Sequence, residues 1–492
     1  MHDLSVTNTL TGEQEPFEPV GDEVLLYVCG LTVSDDAHLG HARVWTHADV
    51  MHRWLEHEGF SVRHVENFTD VNEKIVARVG EDDLGDSESA VARGFTASVI
   101  DDMRGLNLER AAVYPRVSEH VPEIIDLVAS LVEKGYAYEA NGSVYFDVTT
   151  FDDYGKLSNQ QVDELEAQGV AEQGEKRHPA DFALWKAGGV TPDEVAAHRS
   201  EDLPPLEGEQ GQTWASPWSE GRPGWHIECS AMSMTHLDST IDIHVGGHDL
   251  VFPHHENEIA QSEAATGQEF ARYWLHTGLL ETEGEKMSSS LGNYFYVADA
   301  LERWGVNVLR TFYLGTQYGT KQTFSEAAMR EAEERWERLE RTYEDAVAAC
   351  DSVDARTKVE DDALRTAVDT ARGDFRAAMN DDFNVREAMA ALLELTRVIN
   401  NHLSSEEYDY RGLKAAIETF EDLGGDVFGL QLAASGESDV GLAADLVELV
   451  LQVRAEEREA GNYDRADALR DELEALGVEV GDSPEGPTYR LP

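Results

Sequence analysis

The feature that most limits what this chain can fold into is a strand–helix–strand pattern near its start. Residues 24–28 (VLLYV) are an uninterrupted apolar run, the mark of a strand buried on both faces. From 41 to 57, Val44, Ala48, Met51 and Leu55 share one face at helical spacing, and residues 61–68 (SVRHVENF) read as a second strand. Two strands joined through a helix form a βαβ unit, which requires a parallel sheet. A second candidate unit runs from STIDIHVGG (239–247) through a helix near 253–265 to YWLHTGLL (273–280). Doubled units of this kind bind nucleotides at the carboxyl ends of their strands, where Cys29–Gly30 and Val245–Gly247 fall.

Between the two halves, over 114–220, turns, short strands such as GSVYFDV and an acidic loop near 160–178 read as an insertion. From about 325 onward the pattern is helical, in EAAMREAEERWERLERTYEDAVAAC, DDALRTAVDTARGDFRAAM and REAMAALLELTRVINNHL. Residues 431–440 (QLAASGESDV) read as a linker, and a helix pair with a short tail closes the chain. The expected organisation is a sheet domain in two parts (1–113 and 221–285) around the insertion, a connecting region at 286–325, a helical bundle at 326–430 and a small C-terminal α+β domain at 441–492.

Charge narrows the setting. Lys and Arg total 39 against 97 Asp and Glu, a formal net charge of −58, and only nine of the cations are Lys. The regular apolar pattern, with 41% hydrophobic residues, argues against disorder. A salt-rich cytoplasm, where the Debye length at molar salt is about 3 Å, would screen the repulsion. The opening MHDLSVTNTL has neither a basic nor an apolar leader region, and no apolar run reaches membrane-spanning length, so a soluble intracellular protein is expected. Three cysteines (Cys29, Cys229 and Cys350) give no disulfide framework and fit a reducing compartment.

Within FPHHENEIAQ (252–261), a helix starting near Pro253 puts His254 and Glu258 on one face. The zincin motif H-E-x-x-H is excluded, because Ile259 holds the place of its second histidine. Two donors are not a site: the segment is either an acidic helix start or half of a metal site completed by cysteines or histidines elsewhere. After the first strand, HLGH (38–41) sets His38 and His41 around Gly40 at a helix N-terminus suited to phosphate. After the last strand, GEKMSSSLGN sets Lys286 before three serines and a glycine, a donor-rich loop suited to polyphosphate. Each is weak alone. Their order and placement together are far more specific.

HLGH and KMSSS resemble the HIGH and KMSKS signatures of class I aminoacyl-tRNA synthetases. YVCGLTVSDDAHLGHAR, DFALWK, GRPGWHIECSAM, FPHHENEIAQ and EKMSSSLGN single out the cysteinyl-tRNA synthetase family, over essentially the full length. The resemblance implies a Rossmann-type α/β catalytic domain with a connective insertion, a tRNA-binding bundle and an anticodon-binding C-terminal domain. It implies one zinc per chain at Cys29, Cys229, His254 and Glu258, holding the thiolate of the substrate cysteine. That chemistry discriminates against serine's hydroxyl without an editing domain. It further implies an amino-acid pocket at Thr32, Thr69, Trp225 and His244, and ATP, with Mg2+, bound at His38, Gly40, His41, Asp249, Lys286 and Ser289. His38, His41 and Lys286 would act in catalysis, the histidines at the α-phosphate and Lys286 on departing pyrophosphate. The family is mostly monomeric.

Three positions, in two stretches, depart from the family's pattern. Ser289 replaces the usual second lysine of KMSKS, and Val245 and His248 stand where glycine and serine are usual. Ser289 is expected to lower or alter ATP affinity, and the Val245 and His248 changes bear on the adenine contact. A chain of −58 must also bind a polyanion, so a local stripe at Arg454, Arg458, Arg465 and Arg470, with Tyr463 stacking on an anticodon base, is expected on the last helices. The ordinary alternative for such arginines is helix surface pairing. Two alternative activities are weaker. A cysteine ligase acting on a small amine leaves the roughly 170 residues after 325 unused. A zinc hydrolase lacks a general base beside an open metal position and leaves KMSSS unexplained, as a plain RNA-binding module leaves the zinc set.

Overall fold

The computed structural model describes residues 4–81, 84–162, 174–200, 202–282, 285–286 and 295–432, and most of 446–490. At its centre is β1 (Glu23–Val28), whose Val24, Leu26, Tyr27 and Val28 are all buried. β1 pairs in parallel with β2 (Ser61–Glu66) on one side and β3 (Ile241–Gly247) on the other. β4 (Ala271–Thr277) completes a sheet of order β4-β3-β1-β2, also in parallel. Connections leave β1 and β3 in opposite directions, so the crevice between their carboxyl ends is the topological switch point at which α/β sheets bind ligands.

The crossover from β1 to β2 is α1 (Leu39–His57), two residues longer at its start than the apolar pattern predicts. His38 caps it in place of the usual Ser or Asp. The sequence predicts one buried face, yet Arg43, Thr46, His47 and Asp49 are buried as well. The helix Val297–Leu314 and the wide turn Phe420–Val427 pack on the face that would otherwise meet solvent. There the fully buried Arg310 donates to Asp49 Oδ2 at 2.5 Å and to the carbonyls of Phe428 and Leu106 at 2.7 and 2.9 Å. Burial acts against the Asp49 charge, but Arg310 and Arg53 prevail and hold its carboxyl below the ordinary range. This buried pair joins α1 to the second half of the chain.

Between β2 and α2 (Trp225–His236) the chain builds an antiparallel five-stranded sheet, with strands Ala137–Ala140, Ser143–Phe146, Phe182–Ala187, Glu220–Pro223 and Trp214–Ala215 in that spatial order. The predicted helix near 253–265 starts later. Val251–His255 is a wide turn in which Phe252 is extended (φ −139°, ψ 133°), and α3 spans Glu256–Thr266. The cause is Pro253, which disfavours helical backbone at the residue before it. The predicted strand 273–280 also divides: β4 ends at Thr277, and Leu280–Thr282 pairs instead with Gln322–Phe324.

Helices Glu326–Cys350, Asp362–Asn380, Val385–His402 and Tyr410–Thr419 form a bundle. Its logic is legible in the second of them, where Leu364, Val368, Ala371, Phe375 and Met379 make one buried stripe at spacings of three and four. A separate small core of Val447, Leu451, Leu473 and Val478 marks the C-terminal unit, which ends in the hairpin Glu479–Ser483/Gly486–Arg490. Among the described residues, no helix is long and apolar enough to cross a membrane.

Candidate active site and metal centre

Four donors from three separate segments meet at the switch point. Cys29 follows β1, held by a 2.9 Å hydrogen bond from its N–H to the Val245 carbonyl of β3. Cys229 lies in α2, its Sγ 3.8 Å from that of Cys29. His254 sits in the wide turn and Glu258 in the first turn of α3, with Nε2 and Oε1 3.1 Å apart. One donor atom from each of the four lies within 4.8 Å of all the others. Cys229, His254 and Glu258 are buried and Cys29 is half-buried, so the cluster opens on the Cys29 side. Apart from facing each other, His254 Nε2 and Glu258 Oε1 have no hydrogen-bond partner among the described residues. Buried polar atoms are seldom left so. Two sulfurs, one imidazole nitrogen and one carboxylate oxygen make a donor set that suits a zinc ion.

Further side chains orient these donors. His226 Nδ1 meets His254 Nδ1 at 2.9 Å, and His244 Nε2 meets the second Glu258 oxygen at 3.0 Å. Behind them His255 Nδ1 meets His276 Nε2 at 2.8 Å, and His276 Nδ1 meets Thr9 Oγ1 at 2.8 Å. His244, His255 and Glu258 form a second close group around the same carboxylate. Burial opposes the Glu258 charge, yet His244 and His254 hold its carboxyl down at about 2. The Cys29 thiol alongside, and then burial, push Cys229 well above the ordinary thiol range. A bound cation reverses that cost, since ligation takes the thiolate.

Asn67, which no motif or spacing in the sequence marks, also belongs to the site. Its Oδ1 accepts from the Tyr27 hydroxyl and the Gly30 N–H, both at 2.9 Å, and lies 3.7 Å from Cys229 Sγ. The available signal was its place just beyond the carboxyl end of β2, next to the switch point. His226, His255 and His276 were missed because they sit beside ligands or in a strand without a spacing of their own. Gly246, at the end of β3, is required by packing: a Cβ there would lie 2.5 Å from the His255 ring.

Of the expected amino-acid pocket residues, Trp225 and His244 touch this cluster. Trp225, 42% exposed, lays its ring 4.4 Å from the His254 ring. His244 is fully buried and stacks on Trp274 at 4.3 Å. Thr32 and Thr69 form a parallel bridge between the segments that follow β1 and β2.

At the start of α1, His38 Nδ1 accepts the Gly40 N–H at 3.0 Å, and His41 Nδ1 accepts the His38 N–H at 3.2 Å. Both rings therefore carry their proton on Nε2, and they stack with centroids 3.8 Å apart. Loss of water, then the His38 ring, holds His41 well below the ordinary histidine range, so it serves as a neutral hydrogen-bond donor. A Cβ on Gly40 would lie 2.8 Å from the His38 ring. Gly40→Ala is expected to displace that ring and lower ATP–pyrophosphate exchange roughly 10- to 100-fold. Metal content, measured by elemental analysis, should stay unchanged.

Lys286 lies in Glu285–Lys286, paired antiparallel with Leu280–Thr282; Ser289 and the rest of the KMSSS loop lie outside the described residues. The segment that follows is bound to the start of α1: Tyr296 bridges His38, Leu39 donates to the Phe295 carbonyl at 3.0 Å, and Val297 donates to Ala37 at 2.8 Å. Asp249 is exposed in the short turn after β3, and His248 faces the His276 ring edge-on at 6.5 Å. The C-terminal arginines do not form one stripe. Arg454 is buried at 3% exposed, because its turn of helix faces the small core, and Arg465 pairs with Glu457 at 3.2 Å. Arg458 and Tyr463 are exposed and Arg470 half-buried.

Residues 16–334 match the family model for the class I (C) tRNA synthetase catalytic domain. The chain is also 68% identical over 492 residues to the cysteine–tRNA ligase of Haloarcula marismortui, covering 99% of this chain and all of that protein. The chain belongs to the cysteine–tRNA ligase family. The family's DALR domain matches residues 374–433, and its cysteinyl-tRNA ligase anticodon binding domain matches 442–490. Identity to the cysteine–tRNA ligase of Thermococcus onnurineus is 44% over 492 residues, covering 99% of each chain. Among solved structures, Mycobacterium tuberculosis methionyl-tRNA synthetase in complex with methionyl-adenylate superposes with a TM-score of 0.59 at 15% identity, covering 83% of this chain and 90% of that one. Agrobacterium radiobacter LeuRS gives 0.58 at 13% identity, covering 84% and 85%. The family thus shares the class I fold.

Proposed function

We infer that this chain is a cysteine–tRNA ligase: it activates L-cysteine with ATP as cysteinyl-adenylate, releases pyrophosphate, and transfers the acyl group to the terminal adenosine of tRNA(Cys). The observation that carries the specificity is the buried Cys29–Cys229–His254–Glu258 cluster at the switch point, beside the helix capped by His38. Zinc held by these four residues would supply a Lewis acid that binds the substrate sulfur as thiolate and leaves serine without an equivalent bond. The protein's own side chains do the rest. Trp225, Thr32, Thr69 and His244 close around the amino acid, and His244 fixes the Glu258 carboxylate. The Nε2–H groups of His38 and His41 donate to the α-phosphate as charge develops on it, with Lys286 and its loop on the leaving pyrophosphate. Asp249 contacts the adenosine side, and Ser289 offers a hydroxyl where a second cation is usual. ATP enters as its Mg2+ complex.

The acceptor is a tRNA rather than a small amine, a reading favoured by the helical bundle and by the match of 442–490 to an anticodon binding domain. Arg458, Tyr463, Arg465 and Arg470 remain the candidate tRNA contacts, without Arg454. The enzyme acts in the cytoplasm, and all four proposed metal donors come from one chain, in keeping with a monomer. Tyr463→Ala should raise the KM for tRNA roughly 5- to 100-fold, the loss of one base stack, and leave cysteine-dependent exchange unchanged. The deciding experiment is cysteine-dependent ATP–pyrophosphate exchange in molar KCl with zinc content measured alongside, followed by charging of tRNA(Cys). Exchange without charging would favour the amine acceptor, and no exchange by a folded, zinc-loaded protein would overturn the assignment.

A further inference from the structure

The turn that joins bundle helices Asp362–Asn380 and Val385–His402 holds two consecutive non-glycine residues in left-handed backbone, Asp382 (φ 61°) and Phe383 (φ 48°). Such a pair is kept only where its surroundings over-determine it. Here the Asp382 carboxylate supplies the restraint. Oδ1 accepts from the Thr7 N–H at 2.7 Å and the Tyr318 hydroxyl at 2.8 Å; Oδ2 accepts from the Thr7 hydroxyl at 2.8 Å and Gln317 Nε2 at 2.9 Å. The Asp382 N–H donates to the Ser5 carbonyl at 2.9 Å. Asp382 is buried and belongs to the bundle, while its four side-chain bonds all reach the catalytic half.

Both segments it grips lead to the active site. Two residues after Thr7, Thr9 donates to the Trp274 carbonyl at 2.9 Å, and its hydroxyl meets His276; these β4 residues back His244 and His255. On the other side, the carbonyls of Gln317, Tyr318 and Thr320 accept from the buried guanidinium of Arg43 at 3.3, 3.3 and 2.6 Å. Arg43 lies in α1, two residues after His41, and also donates to Gly278 at 3.0 Å. One carboxylate thus ties the bundle to the metal pocket and to the phosphate-binding histidines.

We propose that Asp382 is a positioning residue that couples docking of tRNA on the bundle to the acyl-transfer step, through Thr7 and Thr9 to β4 and through Tyr318 and Arg43 to α1. This rests on the reading of the chain as a cysteine–tRNA ligase. Amino-acid activation needs no tRNA and therefore does not use the coupling.

Two variants test it. Asp382→Asn keeps the shape but presents an amide donor to the Gln317 or Thr7 donors. Asp382→Gly removes all four bonds while relieving the left-handed strain. Each is assayed for cysteine-dependent ATP–pyrophosphate exchange and for the kcat and KM of tRNA(Cys) charging, with thermal unfolding in the same KCl buffer. The expected result is exchange within about twofold of wild type, with kcat for charging reduced at least about 10-fold in both variants and KM for tRNA nearly unchanged. Equal loss in both reactions means a purely structural role and overturns the coupling, as does charging at the wild-type rate. The functional reading is tested separately, by the two wild-type activities.

Discussion

Cys229→Ser is expected to weaken zinc binding at the proposed site and to abolish most cysteine activation. The hydroxyl of Cys229→Ser is a poor ligand for zinc and stays protonated at neutral pH, so only Cys29, His254 and Glu258 remain as donors. Loss of a partner outside the ligand sphere already costs 10–100-fold in metal affinity or activity. Loss of a ligand should therefore cost exchange at least about 100-fold. Elemental analysis after dialysis should find less than the wild-type zinc, and added zinc should restore exchange only in part. A serine-229 protein that retains full zinc and full exchange would remove Cys229 from the site and leave the cluster a structural core. Because Cys229 packs among Tyr27, Ile241 and Trp274 as well as against Cys29, the variant's fold should be checked by circular dichroism.

The second large effect concerns stability. Arg310→Ala leaves Asp49 buried with its principal countercharge gone, and it releases the carbonyls of Phe428 and Leu106. Breaking one partner of a buried pair costs about 3–5 kcal/mol, because the remaining charge is stranded. Arg53, 2.9 Å from Asp49, compensates only partly, since its guanidinium also serves the Asn107 carbonyl at 2.8 Å. Urea unfolding at constant KCl should show the loss as a lower midpoint. Asp49→Asn with Arg310→Met, which removes both charges, should recover much of it. Equal destabilisation in the single and double variants would mean that packing, not the stranded charge, is responsible.

How much was legible in the sequence depended on how local each signal was. Buried strands such as VLLYV and the long helix Glu326–Cys350 declare themselves, because an apolar run or a 3.6-residue stripe is a property of neighbouring residues. The four proposed metal donors were named only by what long motifs resembling a known family imply, and the fold brings those four side chains together. Spacing alone delivered only His254 and Glu258, since the cysteines lie in other segments. The burial of His47 and Asp49 was not legible, because a helix sequence cannot say that a second domain will cover its outer face. Arg454 was misjudged for the same reason: only the small C-terminal core tells which side of that helix faces inward. Asp382 carried no signal at all, as a carboxylate at a helix end is ordinary until its four partners are seen.

The insertion between the two halves of the sheet has a consequence for how the protein is made. It sets Cys29 and Cys229 200 positions apart, although their sulfurs are 3.8 Å apart in the finished fold. Contact order around the proposed metal site is therefore high, and folding of the segment in between would shorten the loop that has to close. A ribosome has to deliver more than half of the chain, through Glu258, before all four donors exist together. At the proposed site, metal capture would then come late in the history of each molecule, after the sheet and its insertion have formed, and a nascent chain halted within the insertion would leave the ribosome with one thiol and no metal centre.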